Sequence, residues 1–375
     1  MLRTSTLLAA TVLTAGTPTT VETSPGNCGT GWTHPHPGLQ RIAVRNTATT
    51  PAEVRLQDAG AAVLAETEPL APGTIRVLRA RLGAGSYAFV CLHEDADAVT
   101  GPTVRITGPG RTGPAAVPVS RHDLIPAALA EQAWTARRLD ELVARTGALR
   151  TAVDAGDRSA ARTAWLSAHL GYARLGAAYD AFEALDGPGE PAAALDRTTA
   201  GLPGGVHDPR FTGFHRVEYG LWHGEDGTAL RRATARLAAD ARRLRDAWAL
   251  ARLDPADLAR RVHEITEDTL RGELTGRTDY GSGTGLATAR ARLDATRRLV
   301  DRLRPLLRTR YPGLAALDDR LARTRRTLEI HLRSGTWTPL ARLGRADRER
   351  IDARFGDLAE RLADVAAVCG VRRTV

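Results

Sequence analysis

Hydrophobic and polar residues alternate with a period of two in residues 38–108. The clearest alternating runs are 41–45, 52–56, 74–80 and 87–91. Because successive side chains of a strand point to opposite faces, this alternation predicts β-strands with one buried face. Pro72-Gly73 and the segment 83–85 lie between runs and are typical of tight connections. Short strands at this spacing predict a β-sandwich.

After Ser120 the pattern changes to that of α-helices. Ser120 and Asp123 have the spacing of a capping box, which predicts a helix running through Leu142. Further helices are predicted to begin at Asp157, near Thr228, at Asp254-Pro255, near Thr284, at Pro312 and after Thr338-Pro339. Helices of this length with short connections predict an antiparallel bundle, and the length also allows two stacked bundles. The fold class is therefore multidomain β + α.

The length and composition fit a soluble two-domain protein. The chain has 375 residues, of which 43% are hydrophobic and 25% charged. A formal net charge of +9 raises the question of nucleic-acid binding. The arginines, however, alternate with Asp, Glu and Ala along the predicted helices and do not gather in one patch. We therefore expect a solvated helical surface and no nucleic-acid partner.

The first twenty residues have the layout of a secretory signal. Arg3 precedes an apolar stretch of roughly ten residues, and small residues follow it. This stretch is too short to span a bilayer, so no transmembrane segment is predicted. We divide the chain into a signal segment (1–20), a sandwich (21–108), a Pro- and Gly-rich linker (109–119) and a helical domain (120–375). The protein is expected to be exported.

The chain has three cysteines, Cys28, Cys91 and Cys369. In an exported protein Cys28 and Cys91 could form a disulfide, and two buried free thiols fit the residues equally well. His93, two residues after Cys91, suggests a copper site in the sandwich. Blue-copper sites use two His, one Cys and usually a Met, and the only methionine is Met1. We therefore do not expect the sandwich to bind copper.

The segment 211–222 carries a His-x-x-Glu among aromatic and apolar residues. His215 and Glu218 are three apart, so both lie on one face of a helix. An imidazole and a carboxylate held together form half a site for a divalent or ferric metal. The same spacing occurs often by accident, and a buried His–Glu pair that orders a helix is the other interpretation.

A second group of metal-ligand types follows Asp254. The segment 263–268 holds one histidine and three carboxylates at spacings that place several on one helix face. A charged, solvent-facing helix surface is the other interpretation of this group.

Four segments resemble a known family when taken in their order along the chain. They are 70–73 and 85–91 in the sandwich, and 213–218 and 303–307 in the helical part. They resemble the EfeO family of exported iron-uptake proteins, in which a cupredoxin-like domain precedes an imelysin-like helical domain grouped with peptidases. The resemblance spans nearly the whole chain. It implies an extracellular or periplasmic protein that binds iron, with zinc as a ligand in vitro, and it favours a Cys28–Cys91 disulfide. It also implies a membrane permease and a haem-peroxidase-like protein as partners.

The chain departs from the family pattern in two places. The family's Tyr-Glu-Arg-Ile-Glu-Pro corresponds here to residues 172–177, which contain neither carboxylate. Its Gly-Glu-Glu-Asp-Arg-Tyr-Ser-His-Thr-Asp corresponds to 276–285, where Asp279 alone survives among the acidic residues. We therefore expect a degenerate metal site around His215 and Glu218. Residues that could complete it are Glu183, Glu264, Glu267, Asp268 and Asp279.

Two further expectations concern the class of protein. A zinc peptidase needs metal ligands, a general base and an oxyanion stabiliser, and the sequence has no His-Glu-x-x-His motif, so no enzyme is predicted. The alternative to iron binding is a metal-free structural or interaction protein on the same scaffold, which would bind a partner protein or a cell-surface ligand.

Overall fold

The computed structural model describes residues 18–94, 96–185 and 191–372, without the side chains of 191 and 192. It divides into two compact units, up to residue 118 and 119–372. Residues 1–17 of the predicted signal segment lie outside the described residues, whereas its last two, Thr19 and Thr20, belong to the first strand. Within the described residues, no helix is long and apolar enough to cross a membrane.

The described residues of the first unit form nine β-strands in two sheets. Their bounds are β1 Thr19–Ser24, β2 Asn27–Thr30, β3 Gly38–Asn46, β4 Ala52–Asp58, β5 Val63–Leu70, β6 Ile75–Leu82, β7 Gly85–His93, β8 Val99–Thr100 and β9 Val104–Ile106. One sheet has the order β2-β1-β3-β6 and the other β5-β4-β7-β8, with β9 also paired to β7. Strand β1 runs parallel to β3, and the remaining pairs are antiparallel.

Side chains from both sheets share one hydrophobic core. Val44 of β3, Leu56 of β4 and Phe89 of β7 are buried within it. The predicted sandwich is therefore confirmed, and the four alternating runs lie in β3, β4, β6 and β7, except for Thr74, which precedes β6. The sheets begin earlier than residue 38, because β1 and β2 complete the first sheet.

The segment predicted as a linker lies against the sandwich. Gly113 N donates to the Arg81 carbonyl at 2.7 Å, and Ala116 forms a two-way bridge with Val63. These backbone hydrogen bonds hold the segment against the sandwich. Its Pro and Gly content alone predicts a linker that does not pack on the domain.

A disulfide joins the two sheets. Cys28 of β2 and Cys91 of β7 are bonded, with an S–S distance of 2.02 Å. Cys91 therefore offers no thiolate to a copper ion, and the Nε2 atom of His93 lies 2.9 Å from the hydroxyl of Thr23. Cys369 is a buried free thiol.

A thiol count tests this cysteine arrangement. The denatured, unreduced protein is expected to titrate with one thiol per chain, that of Cys369, and the reduced protein with three. Ellman's reagent in guanidinium measures both values. A count of three thiols before reduction would show that the disulfide is absent, and the support that it gives to export would be lost.

The second unit is helical. Its helices are α1 Arg121–Asp154, α2 Arg158–Ala173, α3 Tyr179–Glu183, α4 Pro191–Leu195, α5 Gly213–Trp222, α6 Gly227–Trp248, α7 Pro255–Arg271, α8 Gly285–Arg310, α9 Leu314–Glu329 and α10 Arg345–Cys369. Three predicted starts are confirmed by their caps: Ser120 and Asp123 form a reciprocal capping box, and the Asp157 and Asp254 side chains accept from backbone N–H groups. The helical class predicted after residue 120 is confirmed.

Two details of the helical prediction are wrong. Residues 332–337 form a small hairpin of two strands, β10 Leu332–Arg333 and β11 Thr336–Trp337. Gly335 and Ser334 between them have positive φ, which suits a tight turn. The sequence also predicts a long loop that ends at Arg210, and this segment contains α4 and a 3-10 turn at Gly205–His207.

Helix α1 runs through two hydrophobic clusters. Its Leu124 packs with residues of α7 to α10, and its Leu142 packs with residues of α2, α5 and α6. Between them, the fully buried carboxylate of Glu131 accepts from the guanidinium of Arg298 on α8 at 2.9 and 3.1 Å. The same guanidinium lies 3.3 Å from the centre of the Trp134 ring.

Replacing Glu131 with alanine is expected to destabilise the helical unit by about 3 kcal/mol, because it leaves the Arg298 guanidinium, which is only 16% exposed, without its carboxylate partner. Urea unfolding followed by far-ultraviolet circular dichroism measures this. Glu141→Ala, which removes an exposed partner of Arg138 on the same helix, is the control and is expected to change stability by less than about 1 kcal/mol. Equal effects of the two substitutions would contradict a stabilising role for the buried pair.

Candidate metal centre

Helix α5 presents two different faces. Phe214, Val217 and Leu221 are buried in the cluster shared with α2 and α6, which accounts for the apolar residues around the His-x-x-Glu. The side chains of His215 and Glu218 are 3% and 1% exposed. Residues three apart on a helix share a face, as the sequence predicts.

The start of α5 packs closely on the segment that carries Asp196. The Thr212 hydroxyl donates to the Ala194 carbonyl at 2.9 Å. Gly213 has φ +77°, and a Cβ on it would lie 2.1 Å from the Leu195 carbonyl oxygen. Only glycine allows this approach without displacement of the backbone. The Thr-Gly before the histidine therefore places Asp196, directly after α4, beside His215.

Three side chains converge at this position. His169 of α2, Asp196 and His215 each offer a ligand atom, and these atoms all lie within 4.8 Å of one another. The Asp196 Oδ1 atom is 3.3 Å from His215 Nε2 and 4.0 Å from His169 Nε2. Among the described residues, neither this Oδ1 nor the His169 Nδ1 has a partner in hydrogen-bond geometry, although both atoms are buried.

Glu218 lies on the other side of the His215 ring. Its Oε2 is 3.4 Å from His215 Nδ1, and its Oε1 accepts from the backbone N–H groups of Tyr280 and Ser282, each at 3.1 Å. A carboxylate bound to Nδ1 directs Nε2 of the same ring outward, as second ligand-shell carboxylates do in metal sites. Glu218 therefore orients His215 toward Asp196.

The five possible completing carboxylates lie outside this cluster. Asp279 belongs to the loop whose backbone donates to Glu218. It stabilises this loop, because its Oδ1 accepts from the backbone N–H groups of Gly281 and Gly283 at 2.9 and 3.1 Å. Glu183 is exposed on α3.

The remaining three carboxylates are on α7 and pair with arginine. Glu264 and Asp268 lie 3.0 and 3.5 Å from the guanidinium of Arg261. Glu267 lies 3.6 Å from Arg271 and 3.8 Å from the His263 ring. The structure does not bring these three together with His215.

A buried arginine completes the surroundings of Asp196. Arg292 of α8 lies 3.0 Å from the Glu273 carboxylate and 3.8 Å from Asp196 Oδ2. Burial raises the pKa of Glu273. The shorter contact pairs Arg292 with Glu273, and Asp196 Oδ1 is closer to His215, at 3.3 Å, than Asp196 Oδ2 is to Arg292.

The two histidines differ in protonation. Burial lowers the pKa of His169 to about 3, so its imidazole is neutral and has a lone pair to donate. Burial also acts to lower the pKa of His215, but the contacts with Asp196 and Glu218 outweigh it and raise the pKa to about 10. Burial acts to raise the pKa of Asp196, and its contacts with His215 and Arg292 hold it below the usual range. In the absence of an ion, His215 is thus an imidazolium between two carboxylates.

The donor set suits a first-row transition metal. Two imidazole nitrogens and one carboxylate oxygen, with open positions, are the ligands of non-haem iron(II) sites, and zinc also accepts them. Ligands about 2.1 Å from a metal are roughly 3.0–3.4 Å from one another, so the 3.3 Å contact already fits. The 4.0 Å contact requires a small movement of His169.

Two of the three converging residues were not singled out in the sequence. His169 lies four residues after Trp165 in an apolar helix, where a histidine looks like an ordinary core residue. Asp196 follows a short apolar stretch in a segment predicted as a loop. No local spacing connects either to His215, since the contacts join residues 19 to 46 positions apart.

Comparisons with known proteins agree with the predicted resemblance. The family model described as Imelysin (Peptidase_M75) matches residues 128–365. The protein named iron uptake system component EfeO from Escherichia coli K12 is 26% identical over 314 residues, which cover 83% of this chain and 81% of that protein. EfeO proteins of Shigella flexneri and Shigella sonnei match to the same extent. These relatives are named as uptake components and not as enzymes, and "peptidase" in the family's designation is a label.

Proposed function

Since the chain belongs to the imelysin family, we propose that it is an exported, iron-binding component of an iron-uptake system. Iron is its cargo, and the site is the cluster of His169, Asp196 and His215, with Glu218 orienting His215. The convergence of these three ligand atoms within 4.8 Å is the observation that carries the proposal. The name of the EfeO relatives supports iron as the metal.

The site is suited to binding that can be reversed. Three protein ligands leave coordination positions for water or an incoming ligand, as in open metal sites. Both imidazoles and the Asp196 Oδ1 atom are buried, whereas the Asp196 side chain as a whole is 23% exposed, so the proposed approach from solvent is beside this carboxylate. An ion held this way exchanges more readily than one enclosed by four protein ligands.

Export is part of the same proposal. The Cys28–Cys91 disulfide suits an oxidising compartment, and the signal-like start of the sequence agrees with it. The proposed location is the cell envelope or the extracellular space. The proposed partners are a membrane permease and a haem-peroxidase-like protein. The sandwich is proposed to be the cupredoxin-like domain of the chain.

One observation favours the alternative of a metal-free interaction protein. Without an ion, His215 already contacts both Asp196 and Glu218, so its charge is compensated by an internal ion-pair network. An ion-pair network of this kind would stabilise α5 without a bound metal ion.

Metal titration separates these two functions. Anaerobic Fe(II) titration, with Fe(III) and Zn(II) in parallel, is expected to give one ion per chain. Replacing His169 with alanine is expected to weaken binding about tenfold, because one neutral ligand of three is lost. His223→Ala, which removes an exposed histidine of the same region, is the control and should bind as the unmodified chain does. The absence of stoichiometric binding would favour the metal-free alternative.

A further inference from the structure

A cavity lies beside α5 and α6. It has a volume of about 790 Å³, within the roughly 300–1,000 Å³ range of small-molecule sites. Tyr219 and His223 of α5, Arg232 and Arg236 of α6, and His207 line it, and none of the three clustered metal-ligand residues is among its described lining. The cavity thus contains none of the proposed metal ligands, although Thr212 and Gly213, which hold α5 against residues 194–195, also line it.

Some of the side chains that line the cavity are short or are turned onto a neighbouring residue. Ala229 and Ala233 of α6 line it together with Arg232 and Arg236 of the same helix. Arg216 is turned onto Glu225, with two hydrogen bonds of 2.6 and 2.7 Å. This pairing neutralises both groups and holds the end of α5 against the following loop.

The charge that remains in the lining is positive. Asp208 is compensated by Arg210, at 3.1 Å, and by backbone N–H groups. Arg236 lies 3.9 Å from the carboxylate of Asp240, which pairs more closely with Arg243. Arg232 and Arg236 are both exposed and lie one helical turn apart. Guanidinium groups at this spacing suit a ligand with two or more carboxylates, because each fork pairs with one carboxylate.

The other side of the lining is aromatic. The rings of Tyr219 and His223 are stacked, with centroids 4.3 Å apart, and the His207 ring meets Tyr219 edge-on at 6.4 Å. This aromatic wall is suited to contacts with the carbon atoms of a ligand as well as with its polar groups. Together with the volume, it favours an organic anion over an inorganic ion such as phosphate.

We propose that this cavity binds a small organic polycarboxylate. Arg232 and Arg236 pair with its carboxylates, and the stacked Tyr219 and His223 rings contact its carbon skeleton. The proposal stands independently of metal binding, because it uses no residue of the metal centre.

Calorimetric titration of the metal-free protein with citrate tests this inference. Saturable binding of one citrate per chain is expected at low salt. The double variant Arg232→Ala/Arg236→Ala should bind at least about tenfold more weakly, because two charge-assisted pairs are lost. Arg231→Ala/Arg242→Ala, which removes the same charge from α6 outside the lining, should bind as the unmodified chain does.

Two further titrations distinguish this cavity from the metal centre and from a general anion site. Asp196→Ala should retain full citrate binding, so a failure of the metal site leaves this result unaffected. Inorganic phosphate should bind much more weakly than citrate. Absence of saturable citrate binding, equal losses in the two double variants, or phosphate binding as tight as that of citrate would each overturn the proposal.

Discussion

Replacing Gly213 with alanine is expected to destabilise the helical unit by about 4 kcal/mol, the range of severe backbone clashes. The residue has φ +77°, and the added Cβ would lie 2.1 and 2.4 Å from the carbonyl oxygens of Leu195 and Ala194. Neither oxygen belongs to a flexible side chain, so the two backbone segments must separate. Because Asp196 follows Leu195 directly, the separation also moves Asp196 away from His215. Urea unfolding measures the stability, and Fe(II) titration of the folded variant measures the effect on the site.

The matched control is Gly147→Ala in α1. A Cβ at Gly147 meets nothing within 4 Å, and its backbone is helical. Alanine there is expected to stabilise the protein by about 0.5–1 kcal/mol, since glycine is a poor helix former. The same substitution is thus expected to act in opposite directions at the two sites. Unchanged stability of Gly213→Ala would show that the close approach to Leu195 does not exist.

Local patterns in the sequence predict much of the fold. The alternation in residues 41–45 and 87–91 depends only on neighbours in one strand, and both runs lie in buried strands. Asp157 and Asp254 act through their own next few residues, so their caps are readable from the sequence. The strands outside the four alternating runs are either short or, like β1, β2 and β5, lie in segments without regular alternation.

The metal centre is less predictable because its contacts are not local. The His215–Glu218 pairing follows from helical spacing, and the structure places these side chains together. Asp196 approaches only because Gly213 and Thr212 hold α5 against residues 194–195. The carboxylates of α7 have an equally promising spacing, but Arg261 lies among them and pairs with them. Sequence spacing does not distinguish a carboxylate facing an arginine from one facing a metal.

The roles of Asp196 and Glu218 lead to the second large expected effect. Asp196→Ala is expected to weaken Fe(II) binding by more than about a hundredfold, because it removes the only charged ligand of the cluster. Its Oδ1 is also the atom that approaches both His215 and His169. Competition titration with a coloured chelator measures the affinity, and circular dichroism checks that the variant is folded.

Glu218→Gln separates a ligand from an orienting residue. Glutamine keeps the size of the side chain and an oxygen for the Tyr280 and Ser282 N–H groups, but it loses the charge that faces His215 Nδ1. Loss of an orienting carboxylate typically weakens metal binding about 10- to 100-fold, so this variant should bind more tightly than Asp196→Ala. The order of the two affinities is the result that matters. If Glu218→Gln is the weaker binder, Glu218 is itself a ligand, and the ion lies on the Nδ1 side of His215 and not between His215 and Asp196.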